Sequence, residues 1–355
     1  RQTFRREYAQ TAEAWQPPEP CGGGYVYESS TQDGFLRTGI AWKLSGKEEY
    51  LGKILKYIRG LLDEEKGYFA TGRTYFQFAE SKKEYEKGDF PEHHACSAGW
   101  VQEAEFMIKL AFVYDLVWDC REVGQEMRDG LERLMRSYMA FESWRLTDGD
   151  GNNFQLAEAT AGLFFAGLLQ DHPLTERFLS GTNGLYELTG AVFADDGSYF
   201  EGATGYMRLA AEILLQAAVA LENMEMNFKE LYVPASYDKN IIHAPWAVRE
   251  GASAKGRTFL GISFARDRAV ERPMRRLRDY LDMLRRMLNP WGILFSANDS
   301  NEQDFSVIME TAAYVYQDPS YLAGKGGSIL YGPHMLESRS GGYLRKDGLP
   351  NTLQD

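Results

Sequence analysis

Apolar residues return at helical spacing in block after block along this 355-residue chain, with short Gly, Asp, Asn and Pro stops between blocks. Each such block gives a helix one face to bury, and many blocks in close succession leave few folds open. The blocks are "TGIAWKLSGKEEYLGKILKYIRGLLDE", read as two helices broken at "LSGK"; "AGWVQEAEFMIKLAFVYDLVWD", with apolar positions at Trp100, Phe106, Leu110, Phe112, Val113 and Val117; "GQEMRDGLERLMRSYMAFESWRL"; "NNFQLAEATAGLFFAGLL"; "LTERFLSGTNGLYELTGAVF"; "GYMRLAAEILLQAAVALENM"; "ERPMRRLRDYLDMLRRML"; and "DFSVIMETAAYVYQ". Strand-like alternation is scarce until "GGSILYGP" and "SGGYLRKDG" near the end. The expectation is an all-α region over residues 1–320 and the start of an antiparallel β-sheet domain over 321–355. Helical hairpins in one long chain form either an open solenoid or a closed ring, the α/α toroid. A ring leaves a cleft at one end, where inter-helix loops meet. The informative loops carry Gly, Asn, Asp and Tyr, which favours the toroid, here as an incomplete α/α barrel.

The net charge of −12 argues against nucleic acid or an anionic membrane surface as partner. It also opposes an acidic substrate unless basic residues gather locally. No apolar run approaches a membrane span. Cys21, Cys96 and Cys120 make no disulfide framework and no CxxC pair, although one bridge stays open. There is no P-loop, Rossmann fingerprint, GxSxG or metal-ligand spacing, so no metal or other cofactor is expected. The start "RQTFRREYAQ" lacks an initiator Met and fits a trimmed chain or a mature secreted form. The aromatic content, 14%, serves helix packing or a ring-lined cleft that stacks on sugar faces.

Five stretches could carry chemistry. In "DGDGNNFQLAEATAGL", Asn152 and Asn153 precede a helix whose apolar face begins at Phe154; one Asn suffices as a cap, which leaves the second amide for a cleft. In "DDGSYFEGATGY", a turn at Asp195, Asp196 and Gly197 leads through Glu201 into the helix of Tyr206. Tyr206 is either a packed aromatic or a functional phenol. Gly202 and Gly205 are poor helix formers that mark close approach of a ligand or of other backbone. "PEHHACSAGW" sets His93 and His94 before a helix, and "IIHAPWAV" holds His243 and Trp246. Arg73, Arg249, Arg257, Arg266 and Arg268 lie in or near loops, whereas "RPMRRLRDYLDMLRR" reads as a solvated helix face. In "SANDSNEQDF", Asn298, Asp299 and Ser300 form a turn that could cap the next helix.

"NN" opening a helix, "DDGSYFEGATGY" one hairpin later, then "NDS" and "SGGYLRKDG", together resemble the heparinase II/III-like polysaccharide lyases, a superfamily that includes heparan sulfate lyases, alginate lyases and a related glucuronate epimerase. The likeness spans roughly residues 35–345 in order and character. It implies an α/α toroid followed by β-sheet domains, a periplasmic or secreted setting, and β-elimination on an acidic, uronate-containing polysaccharide. It implies that Tyr206 is the catalytic acid/base and that Asn152 or Asn153 neutralises the uronate carboxylate. Arg73, Glu201, His243, Trp246 and Arg249 are the candidate substrate-binding residues. The family adds a His from a His-Gly-His-Ala-Asp-like stretch after the "GGYLR" strand. This sequence has none, so either the chain belongs to a longer protein or His93, His94 or His243 takes that role. The alternatives are a C5-epimerase, a glycoside hydrolase using carboxylates such as Asp195, Asp196 and Glu201, and a non-catalytic glycan-binding protein.

Overall fold

A computed structural model describes residues 2–19, 29–71, 101–146, 153–181, 183–191, 193, 197–199, 202–234, 274–289, 292–296 and 300–322. It is mostly helical. The helices are α1 (Gln2–Ala14), α2 (Ser29–Ser45), α3 (Glu48–Leu61), α4 (Val101–Val117), α5 (Gln125–Arg145), α6 (Asn153–Leu168), α7 (His172–Ser180), α8 (Leu185–Ala191), α9 (Thr204–Asn223), α10 (Leu277–Met287) and α11 (Ser306–Tyr316). Two antiparallel strand pairs accompany them: β1 (Val233–Pro234) with β2 (Met274–Arg275), and β3 (Ile293–Leu294) with β4 (Gln303–Asp304). Each strand is two residues long, too short to show alternation in sequence. The strands expected at "GGSILYGP" and "SGGYLRKDG", with the whole 321–355 region beyond Leu322, lie outside the described residues.

The helices form two layers. One is a row in which α2 packs on α4, α4 on α6, α6 on α9 and α9 on α11. Against it lie α3 on α2, α5 and α7 on α6, and α10 on α9 and α11. Neighbours in the row run parallel where hydrogen bonds fix their direction. Gln32 Nε2 donates to the Gln102 carbonyl at 2.9 Å near the start of α2 and α4, and Lys43 Nζ reaches Leu116 O near their ends. Thr204 Oγ1 donates to Asn301 O at the start of α9, and Lys229 joins Glu222 at its end to Val315 O at the end of α11.

The middle of the row is the centre of the core. Every residue of α6 except Phe154 is buried, and α4 is buried nearly throughout. A helix apolar on all sides has neighbours on all sides. One polar pair sits within this region: Tyr68 Oη donates to Glu103 Oε1 at 2.9 Å, both residues fully buried. Tyr68→Phe removes that donor and is expected to lower stability by about 1.5–3 kcal/mol in urea unfolding.

Local chemistry sets the helix ends. The break at "LSGK" is Gly46 at φ +69, which closes α2 two residues before α3 begins. Asp171 caps α7 by accepting from Leu174 N at 3.1 Å. The block "LTERFLSGTNGLYELTGAVF" is not one helix. A turn closed by Gly184 N donating to Gly181 O at 2.7 Å divides it into α7 and α8. Asn183 in that turn adopts φ +53 and anchors it by donating to Leu146 O at 2.6 Å. The arginine-rich block forms an amphipathic helix with its arginines on the outer side. Leu277, Tyr280, Leu281 and Leu284 are buried, and the arginines are engaged: Arg276 with Glu230, Arg278 with Asp318 and over the Tyr316 ring, Arg285 with Ser320 and over the Tyr321 ring.

Among the described residues no helix is long and apolar enough to cross a membrane. Cys120 is free, and burial pushes its thiol up to about 11. Thiolate is then about a hundredfold scarcer than in an ordinary thiol, so iodoacetamide is expected to label Cys120 correspondingly slowly by peptide mass spectrometry. Cys21 and Cys96 lie outside the described residues.

Candidate functional site

The candidate site gathers around the start of α9. The approach to it needs glycine twice, at Gly197 (φ +85) and Gly202 (φ +68), where a side chain would strain the backbone. Between them Tyr199 bridges back to Phe193, whose ring lies 5.1 Å from that of Tyr280. The helix then opens at Thr204 after Ala203, and Tyr206 stands in its first turn, half-buried against the core.

The backbone on both sides of Tyr206 is pinned. Thr204 Oγ1 donates to Asn301 O at 3.1 Å, across 97 positions of sequence. A Cβ on Gly205 would come within 2.9 Å of Ser300 Oγ, so the glycine admits Ser300. Ser300 is held in turn by Ser296 Oγ donating to its carbonyl at 2.5 Å. On the far side, Met207 O accepts from Tyr280 Oη at 2.6 Å. Tyr280 is fully buried, and that burial raises its phenol well above the ordinary range, so it remains a donor. Tyr280→Phe is expected to cost about 1 kcal/mol in thermal or urea unfolding, the net value of one buried hydrogen bond.

The close approach marked by Gly205 is therefore made by residue 300 of this chain. Ser300 does not cap the following helix: the N-cap of α11 is Phe305, without a side-chain cap, and Asp304 just ahead of it accepts from Ser306 N at 2.7 Å. Asn153 is the first residue of α6, which packs against α9. It is 3% exposed, whereas Phe154 is half-buried, so the apolar surface of α6 does not begin at Phe154 but surrounds the helix. No hydrogen bond from a described residue engages the Asn153 amide. Asn152, His93, His94, Arg73, Glu201, His243, Trp246 and Arg249 lie outside the described residues, as do Asp195, Asp196, Asn298 and Asp299.

The structure adds a cavity of about 350 Å³ between α2, α4, α9 and α11. Its charged lining is Asp33, Arg37, Glu105, Lys109, Arg208 and Glu212. Leu209 and Ile213 also line it, at helical spacing from Tyr206 along one face of α9, which places the phenol about one turn before the cavity. Glu105 and Lys109 are two of the charged positions of α4, with Glu103 and Asp115, and nothing in the sequence sets them apart. Among the described residues, no group of three His, Cys, Asp or Glu side chains is placed to hold a metal ion.

No protein-family model matches this chain, and comparison with curated proteins finds no similar sequence.

Proposed function

We propose that this protein is a polysaccharide lyase that cleaves a uronate-containing polymer by β-elimination, on an α/α toroid. One observation carries the reading. "DDGSYFEGATGY" and "NDS", two of the separate stretches behind the family likeness, meet at Gly205–Ser300, directly beside Tyr206, and Thr204 bonds the next residue, Asn301. Asn153 opens the neighbouring helix, and no described residue hydrogen-bonds to its amide. The cavity takes its lining from both the first and the last helix of the row, which favours a row that curves back toward its start, as a toroid requires.

The C5 proton of a uronate is weakly acidic, and its removal places charge beside a carboxylate. An amide donor from Asn152 or Asn153 would stabilise the charge building on the carboxylate oxygens. Tyr206, as phenolate, would take the C5 proton, and as phenol would return a proton to the leaving glycosidic oxygen. The C5–H electron pair becomes the C4–C5 double bond as the C4–O bond breaks. An ordinary phenol titrates near 10, so a neighbouring cation, Arg or His⁺, must favour the phenolate. Such polymers lie outside the cytoplasm, which places the protein in the periplasm or the medium.

Incubation with heparan sulfate, alginate, hyaluronan and glucuronan tests the reading. Ultraviolet absorbance of unsaturated uronate is the expected result with at least one polymer. New reducing ends without unsaturation would make the protein a hydrolase. Solvent deuterium at C5 of intact chains would make it an epimerase, and binding without any product a glycan-binding protein. With an active polymer, Gly205→Ala is expected to lower turnover about tenfold, because small displacements of reacting groups are costly. Stability should change by less than about 1 kcal/mol, since the helix gains a better former while Ser300 shifts.

A further inference from the structure

We propose that the cavity between α2, α4, α9 and α11 binds a small zwitterion, a molecule carrying one carboxylate and one ammonium group. The argument starts from which charges in the cavity already have partners. Lys109 Nζ is 2.8 Å from Asp33 Oδ1 and 3.2 Å from Gln32 Oε1, so its charge is taken. Arg208 faces Glu212 at 3.8 Å, one turn along α9. Two charges remain. Glu105 has no hydrogen bond or ion pair with any described residue, and Arg37 makes only a stacking contact, 5.8 Å above the Tyr8 ring. One carboxylate and one guanidinium thus line a shared cavity without a close ion pair to any described residue.

The volume is at the small end of the range for ligand pockets, about 300–1,000 Å³, which suits a molecule of amino-acid size. Burial raises the Glu105 carboxyl above the ordinary carboxylate range, with Lys109 and Arg208 opposing that shift and Glu212 and Asp33 adding to it. Desolvation is the dominant cause, and a cation entering beside the carboxylate would relieve it. A metal ion fits less well than an ammonium group, because among the described residues no set of three ligating side chains converges there. A guanidinium is well suited to a carboxylate, which it can engage through two parallel hydrogen bonds. An ammonium on Glu105 and a carboxylate on Arg37 would leave every cavity charge paired. This site is independent of the elimination chemistry and is read by binding alone.

Calorimetric titration and thermal melting of the full chain test it, with L-alanine, β-alanine and γ-aminobutyrate as probes and propionate and propylamine as singly charged controls. At least one amino acid is expected to bind at one site and to raise the melting temperature with concentration, as a ligand selective for the folded state must. Both controls should bind at least tenfold more weakly. Glu105→Gln and Arg37→Gln should each weaken binding tenfold or more. Failure of all three amino acids to bind would overturn the proposal, as would controls that bind equally well. Unchanged affinity in either variant would do the same. Should a variant melt early, the comparison of zwitterions with controls on the unaltered protein decides the matter.

Discussion

Tyr206→Phe is expected to reduce formation of unsaturated product by about 10³–10⁴-fold, the upper part of what a positioned acid/base contributes. The loss should fall on kcat, because the ring stays to pack and only the ionisable hydroxyl is removed. Stability should fall by no more than about 1 kcal/mol, as for a single hydroxyl. That separation is informative because Tyr206 is only half-buried, while the groups holding its backbone, Thr204 on Asn301 and Met207 on Tyr280, do not involve its side chain. A parallel fall in stability and activity would assign Tyr206 to packing. Retained turnover would remove it from the chemistry altogether. The measurement is initial rate by ultraviolet absorbance on whichever polymer proves active, beside a urea titration of the same preparation.

A large stability effect is expected at Gly162→Leu. A bare Cβ on Gly162 would lie 2.4–2.6 Å from three ring carbons of Phe178, which is itself fully buried in α7. The ring cannot retreat, since α7 and α6 are packed through this contact, and leucine adds three carbons beyond the clash. Destabilisation of about 3 kcal/mol or more is expected, the high end for overpacking. Phe178→Ala alone should cost about 3–5 kcal/mol through its cavity. The double variant should cost clearly less than the two single losses together, because the new side chain fills the space the ring vacates. Strict additivity in urea unfolding would show that the two residues are not in contact.

What could be read from sequence follows from what leaves a local trace. Gly46 marks the α2–α3 break, and the amphipathic stripe of α10 is plain in Leu277, Leu281 and Leu284. The α7–α8 division was hidden because the apolar period continues across it, and the turn depends on Asn183 reaching Leu146 from another hairpin. Asn153 was misread as standing ahead of an apolar face because α6 is surrounded, and a surrounded helix has no phase to read. Glu105 with Lys109, and Arg208 with Glu212, resemble ordinary pairs four apart on a solvent face. Only tertiary packing turns them toward a common space. At the candidate site, Tyr206 and its glycines were legible as a motif, whereas the roles of Ser300 and Tyr280 in pinning its backbone were not, since both arrive from more than seventy positions away.

The cavity joins α2 to α11, two helices separated by about 260 positions of sequence. During translation the early helices must wait, with charged faces exposed, for a partner hundreds of peptide bonds downstream. Contacts of such separation slow folding and lengthen the life of incomplete forms. Cutting the chain near residue 300 would therefore leave an amino-terminal fragment with an unfinished wall.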